Sequence, residues 1–160
     1  MAPRLPRLYW GEIIYATPGS GKTYVASKYD DVIDGDDLIV EAIEEVNPNF
    51  RIIDGDPRYT IAAYFRYINF SHRYMWRVYN IALEKMRGHC NRDDVVLIGT
   101  VLLMDQADRV FIQNDEQIVR SGFRSYKEQQ ELQSISKPQE VHYIDEYLDN
   151  CLHKVVQGKI

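Results

Sequence analysis

A turn with two glycines and a lysine limits the folds that are open to this chain. It reads Pro18-Gly19-Ser20-Gly21-Lys22, and it lies between an apolar stretch at residues 8–15 and a helical stretch at residues 22–28. Glycine adopts backbone conformations that other residues avoid, so the chain can turn sharply here with its N–H groups pointing inward. Those N–H groups and the positive end of the following helix suit an anion. The sequence therefore predicts a strand, a phosphate-binding turn and a helix in succession.

Short apolar runs recur between helical segments along the rest of the chain. We predict strands at residues 8–15, 31–34, 95–98, 109–112 and 141–144. Helices are predicted at residues 22–28, 38–46, 57–88, 115–134 and 145–156, and the third is broken near residues 69–71. Strands that alternate with helices form parallel sheets, and right-handed crossovers place helices on both faces. We therefore expect an α/β fold, a three-layer sandwich around a five-stranded parallel sheet.

The composition is that of one globular domain, which we expect to span residues 1–160. Hydrophobic residues make up 45% of the chain and the formal net charge is −5, so an intrinsically disordered chain is excluded. No apolar run approaches the ~18 residues of a membrane span, and we expect no membrane partner. Cys90 and Cys151 form no disulfide framework and suit a reducing compartment. We expect a cytoplasmic protein, in the host cytoplasm if the chain is viral.

The glycine-rich turn belongs to a longer motif. Residues 16–23 read Ala16-Thr17-Pro18-Gly19-Ser20-Gly21-Lys22-Thr23, which fits a Walker A motif with alanine for its first glycine. The chain resembles the P-loop kinases in this motif and in three further features. These are the acidic turn Asp34-Gly35-Asp36-Asp37, an arginine-bearing segment after the fourth strand, and a final strand and helix. The P-loop kinases that it resembles include shikimate, gluconate, nucleotide and polynucleotide 5′-kinases. The resemblance implies a P-loop NTPase fold with strand order 2-3-1-4-5, and ATP and Mg²⁺ as cofactors.

The resemblance also assigns roles within the motif. Lys22 is expected to reach the β- and γ-phosphates, and Thr23 to place its hydroxyl on Mg²⁺. The residues expected to bind ATP are Ala16, Thr17, Pro18, Gly19, Ser20, Gly21, Lys22 and Thr23. A glycine-rich surface turn without a ligand is the other interpretation of this segment.

An acidic turn after the second strand is the candidate catalytic site. In the kinases that this chain resembles, an aspartate here faces the acceptor, orients its hydroxyl and takes its proton. Asp36 matches that position best, and Asp34 is the next candidate for a contact with the acceptor. The first two strands would end at one edge of the sheet, where ligands bind. The alternative is a solvated turn in which Asp36 or Asp37 caps the following helix.

Two positions depart from the pattern of the related kinases. Polynucleotide kinases usually place an arginine three residues after the proposed base, and here that residue is Ile39. The third strand is followed by Gly99-Thr100 instead of an acidic partner for Mg²⁺, and Asp105 comes only later. The missing acid argues against a motor-type ATPase.

The resemblance places a mobile lid at about residues 113–137, after the fourth strand. Arg120 and Arg124 lie four residues apart there, so a helix would bring them to one face. In the related kinases, lid arginines neutralise the charge on the phosphoryl group in transfer, and we expect Arg120 and Arg124 to act in catalysis. A solvated helix face, with nearby glutamates paired to these arginines, is the alternative.

Residues 57–83 contain no aspartate or glutamate, although the chain as a whole is acidic. They contain four arginines and eight aromatic residues, a combination that suits nucleobases and phosphates. The related kinases build their acceptor-binding helices at this point, about residues 57–88 here. Arg66 and Arg73 are our candidate acceptor contacts. Packing of the aromatic rings into the core is the alternative.

These features together predict a kinase. We expect the γ-phosphoryl group of ATP to pass to a hydroxyl or phosphate of a nucleotide, nucleoside or nucleic acid, including a polynucleotide 5′-hydroxyl or DNA with modified bases. One alternative is a small-metabolite kinase of the shikimate or gluconate type. Another is a regulatory or assembly NTPase that binds nucleoside triphosphate and has no acceptor.

Overall fold

The computed structural model describes residues 3–115, 117–118 and 140–158. Its centre is a five-stranded sheet with the strand order β2-β3-β1-β4-β5, and every pairing is parallel. The strands are β1 (Ile13–Ala16), β2 (Val32–Asp34), β3 (Val95–Ile98), β4 (Arg109–Gln113) and β5 (Glu140–Ile144). The predicted parallel α/β architecture and strand order are confirmed.

Helices connect the strands. They are α1 (Lys22–Lys28), α2 (Gly35–Val46), α3 (Pro57–Tyr67), α4 (His72–Cys90) and α5 (Leu148–Val156). Short 3₁₀ helices cover Arg7–Tyr9 and Val101–Gln106. No helix in the described ranges is long and apolar enough to cross a membrane.

Two of the predicted helical stretches can be compared with the structure. The predicted break in the long helical stretch is confirmed, because α3 ends at Tyr67 and α4 begins at His72. The predicted helix at residues 115–134 lies almost entirely outside the described residues. At its start, the Asp115 carboxylate accepts the backbone N–H groups of Gln117 and Ile118.

The prediction that the first strand begins at residue 8 is wrong. The chain turns at Gly11, whose φ is +77°, and the strand begins only at Ile13. Tyr9 is fully buried before this turn, and its hydroxyl donates to the Leu152 carbonyl at 2.6 Å. Tyr9 is therefore apolar because it packs against α5, and not because it belongs to the strand.

The strands β1, β3 and β4 are buried along their whole length, which explains their apolar sequences. In β1, Ile13 and Tyr15 pack into the core cluster that contains residues of α2, α3 and α4. Ile14 and Ala16 alternate with them and pack into a second cluster with residues of α1 and α5. Helices therefore cover both faces of the sheet, as expected for a parallel sheet.

The parallel register brings three chain turns to one edge of the sheet. Tyr15 pairs with Ile98, and Leu97 pairs with Asp34. The segments that follow β1, β2 and β3 therefore leave the sheet side by side. At this edge α2 approaches β3 so closely that a Cβ on Gly35 would lie 2.7 Å from the Leu97 carbonyl oxygen.

Gly35→Ala should destabilise the protein. The added Cβ would collide with the backbone of Leu97 and with the Ile98 side chain, also at 2.7 Å, so we expect a loss of about 1–3 kcal/mol in the free energy of unfolding. Denaturant titration measures this loss. Gly88→Ala is the control, because Gly88 lies inside α4 with no atom within 4 Å of an added Cβ. It should be neutral or stabilise the protein by up to about 1 kcal/mol, and equal effects of the two substitutions would contradict the packing described here.

Candidate active site

The glycine-rich turn after β1 is tied to the sheet and to α5. The Thr17 N–H donates to the Phe111 carbonyl at 3.1 Å, and the Thr17 hydroxyl accepts the Gln113 N–H at 3.0 Å. The Ser20 carbonyl accepts the Leu148 N–H, at the start of α5, at 2.8 Å. Anchors on both sides hold the turn in one shape.

The turn takes the shape that its glycines allow. Gly19 and Gly21 have φ values of +89° and +95°, in the left-handed region that favours glycine. The N–H of Val25 donates to the Gly21 carbonyl. The amides of Lys22 and Thr23 precede this bond and belong to the first turn of α1, where N–H groups have no partner within the helix. They are therefore open to an external acceptor such as a phosphate oxygen.

The Lys22 side chain lies against Gly99, the residue that follows β3. A Cβ on Gly99 would lie 2.6 Å from Lys22 Cε and 2.7 Å from Nζ. Gly99 therefore provides the space that the lysine occupies. Within the turn, the Ser20 hydroxyl is buried and has no hydrogen-bond partner among the described residues.

The structure separates the two roles proposed for the acidic turn. Helix α2 begins at Gly35, so its N-cap is Asp34, whose carboxylate accepts the Asp36 N–H at 3.0 Å. The prediction that Asp36 or Asp37 caps this helix is wrong, because the helix begins earlier than predicted. The Asp36 residue is only 9% exposed, and its carboxylate is not used for capping.

Burial raises the pKa of the Asp36 carboxyl above its ordinary value. The positive charges of Lys22 and Arg58 oppose this effect, and the negative charges of Asp34 and Asp56 add to it. A carboxylate with a raised pKa holds a proton more readily than ordinary aspartate does, which suits a group that must accept one.

Arg58 is the functional candidate that the sequence did not single out from the other arginines. It lies in the first turn of α3, where its N–H donates to the carboxylate of the N-cap Asp56 at 2.9 Å. Its guanidinium Nε also donates to Asp56, at 2.9 Å. This bond lowers the pKa of Asp56 and raises the pKa of Arg58, so the guanidinium is held as a fixed cation.

Two cavities meet at these charged residues. The first, which we name the loop cavity, has a volume of about 210 Å³ and is lined by Gly19, Gly21, Lys22, Thr23, Asp34, Asp36, Asp56 and Arg58. The second, the apolar cavity, has a volume of about 280 Å³ and is lined by Pro18, Lys22, Asp36, Arg58, Ile61, Ala62, Phe65, Tyr79, Gly99 and Thr100. Lys22, Asp36 and Arg58 line both. A ligand in one cavity would therefore face a ligand in the other across these three side chains.

The other candidates from the sequence lie elsewhere. Arg66 and Arg73 are exposed and line neither cavity. Arg120 and Arg124 lie outside the described residues. Asp105 is exposed in the 3₁₀ helix that follows β3.

Thr23 is placed where its hydroxyl can serve a metal ion that arrives with a ligand. It is exposed and lines the loop cavity beside Lys22. Within residues 3–115, 117–118 and 140–158, no group of three or more His, Cys, Asp or Glu side chains is arranged to hold a metal ion.

A scan of known protein families finds none that matches this chain, and a search of curated proteins finds no significant match. The function is therefore inferred from the residues of the site itself.

Asp36→Asn should stabilise the protein at neutral pH. The raised pKa means that the ionised carboxylate is less favourable in the folded than in the unfolded state. Removing its charge should raise the melting temperature at pH 7, and this gain should shrink as the pH falls toward the ordinary aspartate pKa. Thermal unfolding across pH measures the effect. Asp105→Asn, at an exposed position, is the matched control and should change little. Destabilisation by Asp36→Asn at pH 7 would contradict a carboxyl group whose pKa is raised by burial.

Proposed function

We propose that this protein is an ATP-dependent phosphotransferase with a P-loop kinase fold, and that it phosphorylates a hydroxyl group of a nucleoside, nucleotide or nucleic acid. The main support is the junction of the two cavities. One is lined by the glycine turn and the other by apolar side chains, and they share Lys22, Asp36 and Arg58. A phosphoryl donor in the loop cavity would face an acceptor in the apolar cavity across these residues.

The donor side is supported by the open amides of the glycine turn. Lys22 and Thr23, whose N–H groups lie in the first turn of α1, line the loop cavity. The Lys22 ammonium would neutralise charge on the β- and γ-phosphates. Mg²⁺, when bound with ATP, would neutralise negative charge on the phosphates. Thr23 is the described residue suited to hold it.

The transfer itself needs one proton acceptor. The acceptor hydroxyl oxygen forms a bond to the γ-phosphorus, and the bond from that phosphorus to the β–γ bridging oxygen breaks, which leaves ADP. The hydroxyl proton passes to the Asp36 carboxylate. Lys22 and Arg58 stabilise the negative charge in the transition state, so catalysis consists mainly of positioning and charge stabilisation.

The apolar cavity favours a planar acceptor over a small sugar acid. Away from the shared charges its walls are formed mainly by Ile61, Ala62, Phe65 and Tyr79. Its volume of about 280 Å³ lies near the lower end of ligand sites, roughly 300–1,000 Å³. A nucleoside ring can pack against such walls, whereas shikimate or gluconate would leave several hydroxyl groups without partners.

Transfer of labelled γ-phosphate from ATP to a panel of acceptors tests the proposal. The panel contains nucleosides, nucleoside monophosphates, oligonucleotides, shikimate and gluconate. Lys22→Ala should reduce transfer at least about 10²-fold. Asp36→Asn should reduce it by about 10²–10⁴-fold while ATP still binds.

Lys28→Ala is the matched control, because Lys28 is at the other end of α1 and pairs with Asp149 at 2.8 Å. It should keep normal transfer. Full transfer by Asp36→Asn would overturn the role of this residue, and free phosphate without any labelled acceptor would favour the regulatory NTPase.

Gly99→Ala should disable the site without unfolding the protein. The new Cβ would take the space of Lys22 Cε and Nζ, and the flexible lysine can swing away, so the fold should persist. We expect transfer to fall by about 10²-fold, as for loss of one charge-stabilising donor. Transfer assays and melting temperatures measured together on Gly99→Ala and on the control Gly88→Ala separate the two effects. Normal transfer by Gly99→Ala would show that the position of Lys22 beside Gly99 is not needed.

A further inference from the structure

A row of aromatic rings leads from the apolar cavity to the surface. Phe65 and Tyr79 line the cavity with ring centroids 5.4 Å apart. Tyr79 contacts Trp76 at 5.5 Å, and Trp76 contacts His72 at 6.0 Å. Phe65 and Tyr79 are buried, Trp76 is partly buried and His72 is exposed. We name these four residues the ring ladder.

Helix periodicity explains why the rings form a continuous row. His72, Trp76 and Tyr79 are spaced four and three residues apart on α4, so they share one face of the helix. On α3, Arg58 and Phe65 lie on one face seven residues apart, about 10 Å along the axis, and both line the apolar cavity. The ring ladder therefore continues the cavity away from the charged junction.

Two exposed arginines lie on the helices that carry the ring ladder. Arg66 directly follows Phe65, and Arg73 is one helical turn before Trp76. Both are exposed, and residues 57–83 contain no acidic side chain in a chain whose net charge is −5. Positive charge and aromatic rings are thus combined on α3 and α4.

We propose that the ring ladder, with Arg66 and Arg73, binds a single-stranded nucleic acid whose terminal hydroxyl reaches Asp36. Proteins bind single strands with aromatic side chains that stack on successive bases of any kind and with basic side chains that contact the phosphates. A lone nucleoside in the cavity would leave Trp76 and His72 uncovered. This inference rests on the proposed function and specifies its acceptor as a strand of several nucleotides with little sequence preference.

Binding of a fluorescently labelled octathymidylate, without ATP, tests the ring ladder directly. Trp76→Ala should weaken binding about tenfold or more, because stacking of a base is lost, and Trp76→Phe should restore most of it. Tyr74→Ala is the control: Tyr74 is an exposed aromatic residue on the same helix, 48% exposed, and two residues from Trp76 it faces another side. Equal binding by wild type, Trp76→Ala and Tyr74→Ala would overturn the proposal.

Salt dependence tests the arginines with little risk to the fold, because both are exposed. The slope of log K against log salt should decrease in magnitude by about 1.4 in the Arg66→Ala/Arg73→Ala double variant, about 0.7 for each phosphate contact to a single strand. Arg92→Ala, at an exposed position just after α4, should leave the slope unchanged. A slope unchanged in the double variant would overturn the role of the two arginines.

Transfer to thymidine and to oligothymidylates of two, four and eight nucleotides separates this inference from the proposed function. We expect KM to fall with length in the wild type and this gain to be lost in Trp76→Ala. Oligonucleotides with only a free 5′-hydroxyl or only a free 3′-hydroxyl identify the reacting end. Equal KM values for thymidine and the octamer would overturn the strand acceptor and leave the kinase intact. Trp76-dependent binding with no transfer to any acceptor would instead overturn the proposed function and retain the ring ladder as a nucleic-acid site.

Discussion

The site depends on the position of β1 at the centre of a fully parallel sheet. β1 pairs with β3 on one side and with β4 on the other. Because the strands run in one direction, the glycine turn after β1, the acidic turn after β2 and Gly99 after β3 leave at the same edge. The strands β1 and β3 are buried along their whole length, so charged side chains can meet only beyond their ends. This is where Lys22, Asp36 and Arg58 lie.

Helix capping leaves the central carboxylate free. Asp34 caps α2 and Asp56 caps α3, and each cap satisfies a backbone N–H that the helix cannot. The two residues that follow closely, Asp36 and Arg58, are thereby fixed beside the cavities. Asp36 remains buried among opposing charges, a costly arrangement for folding that is expected where a carboxylate has a chemical task.

Much of the architecture could be predicted because it follows from local pattern. The run of four apolar residues in β3 has the predicted bounds, and the break between α3 and α4 lies where the sequence indicates it. The start of α2 was missed because glycine is a poor helix former and aspartates usually stand at caps. Gly35 nevertheless lies in the first turn of α2, packed against β3, and the cap is the earlier aspartate Asp34.

The candidate site could be predicted only in part from the sequence. The turn that carries Lys22 has a distinctive spacing, but the sequence presents Arg58 as one of several arginines in the same basic segment. Its importance appears only when the face of α3 that lines the cavity is known. Arg66 lies on the same helix but is exposed outside the cavity. It follows Phe65, which lines the cavity, and one residue along a helix turns the side chain by about 100° around the axis.

In our proposal, donor and acceptor meet between the glycine turn and Asp36. An experimental structure of the protein with a non-hydrolysable ATP analogue, Mg²⁺ and an unphosphorylated oligonucleotide tests it most directly. We predict the terminal phosphates on the amides of the turn within hydrogen-bond distance of Lys22 Nζ, and a terminal hydroxyl beside the Asp36 carboxylate in line with the γ-phosphorus. A nucleotide bound away from Lys22, or an oligonucleotide whose terminal hydroxyls both lie far from Asp36, would contradict this arrangement.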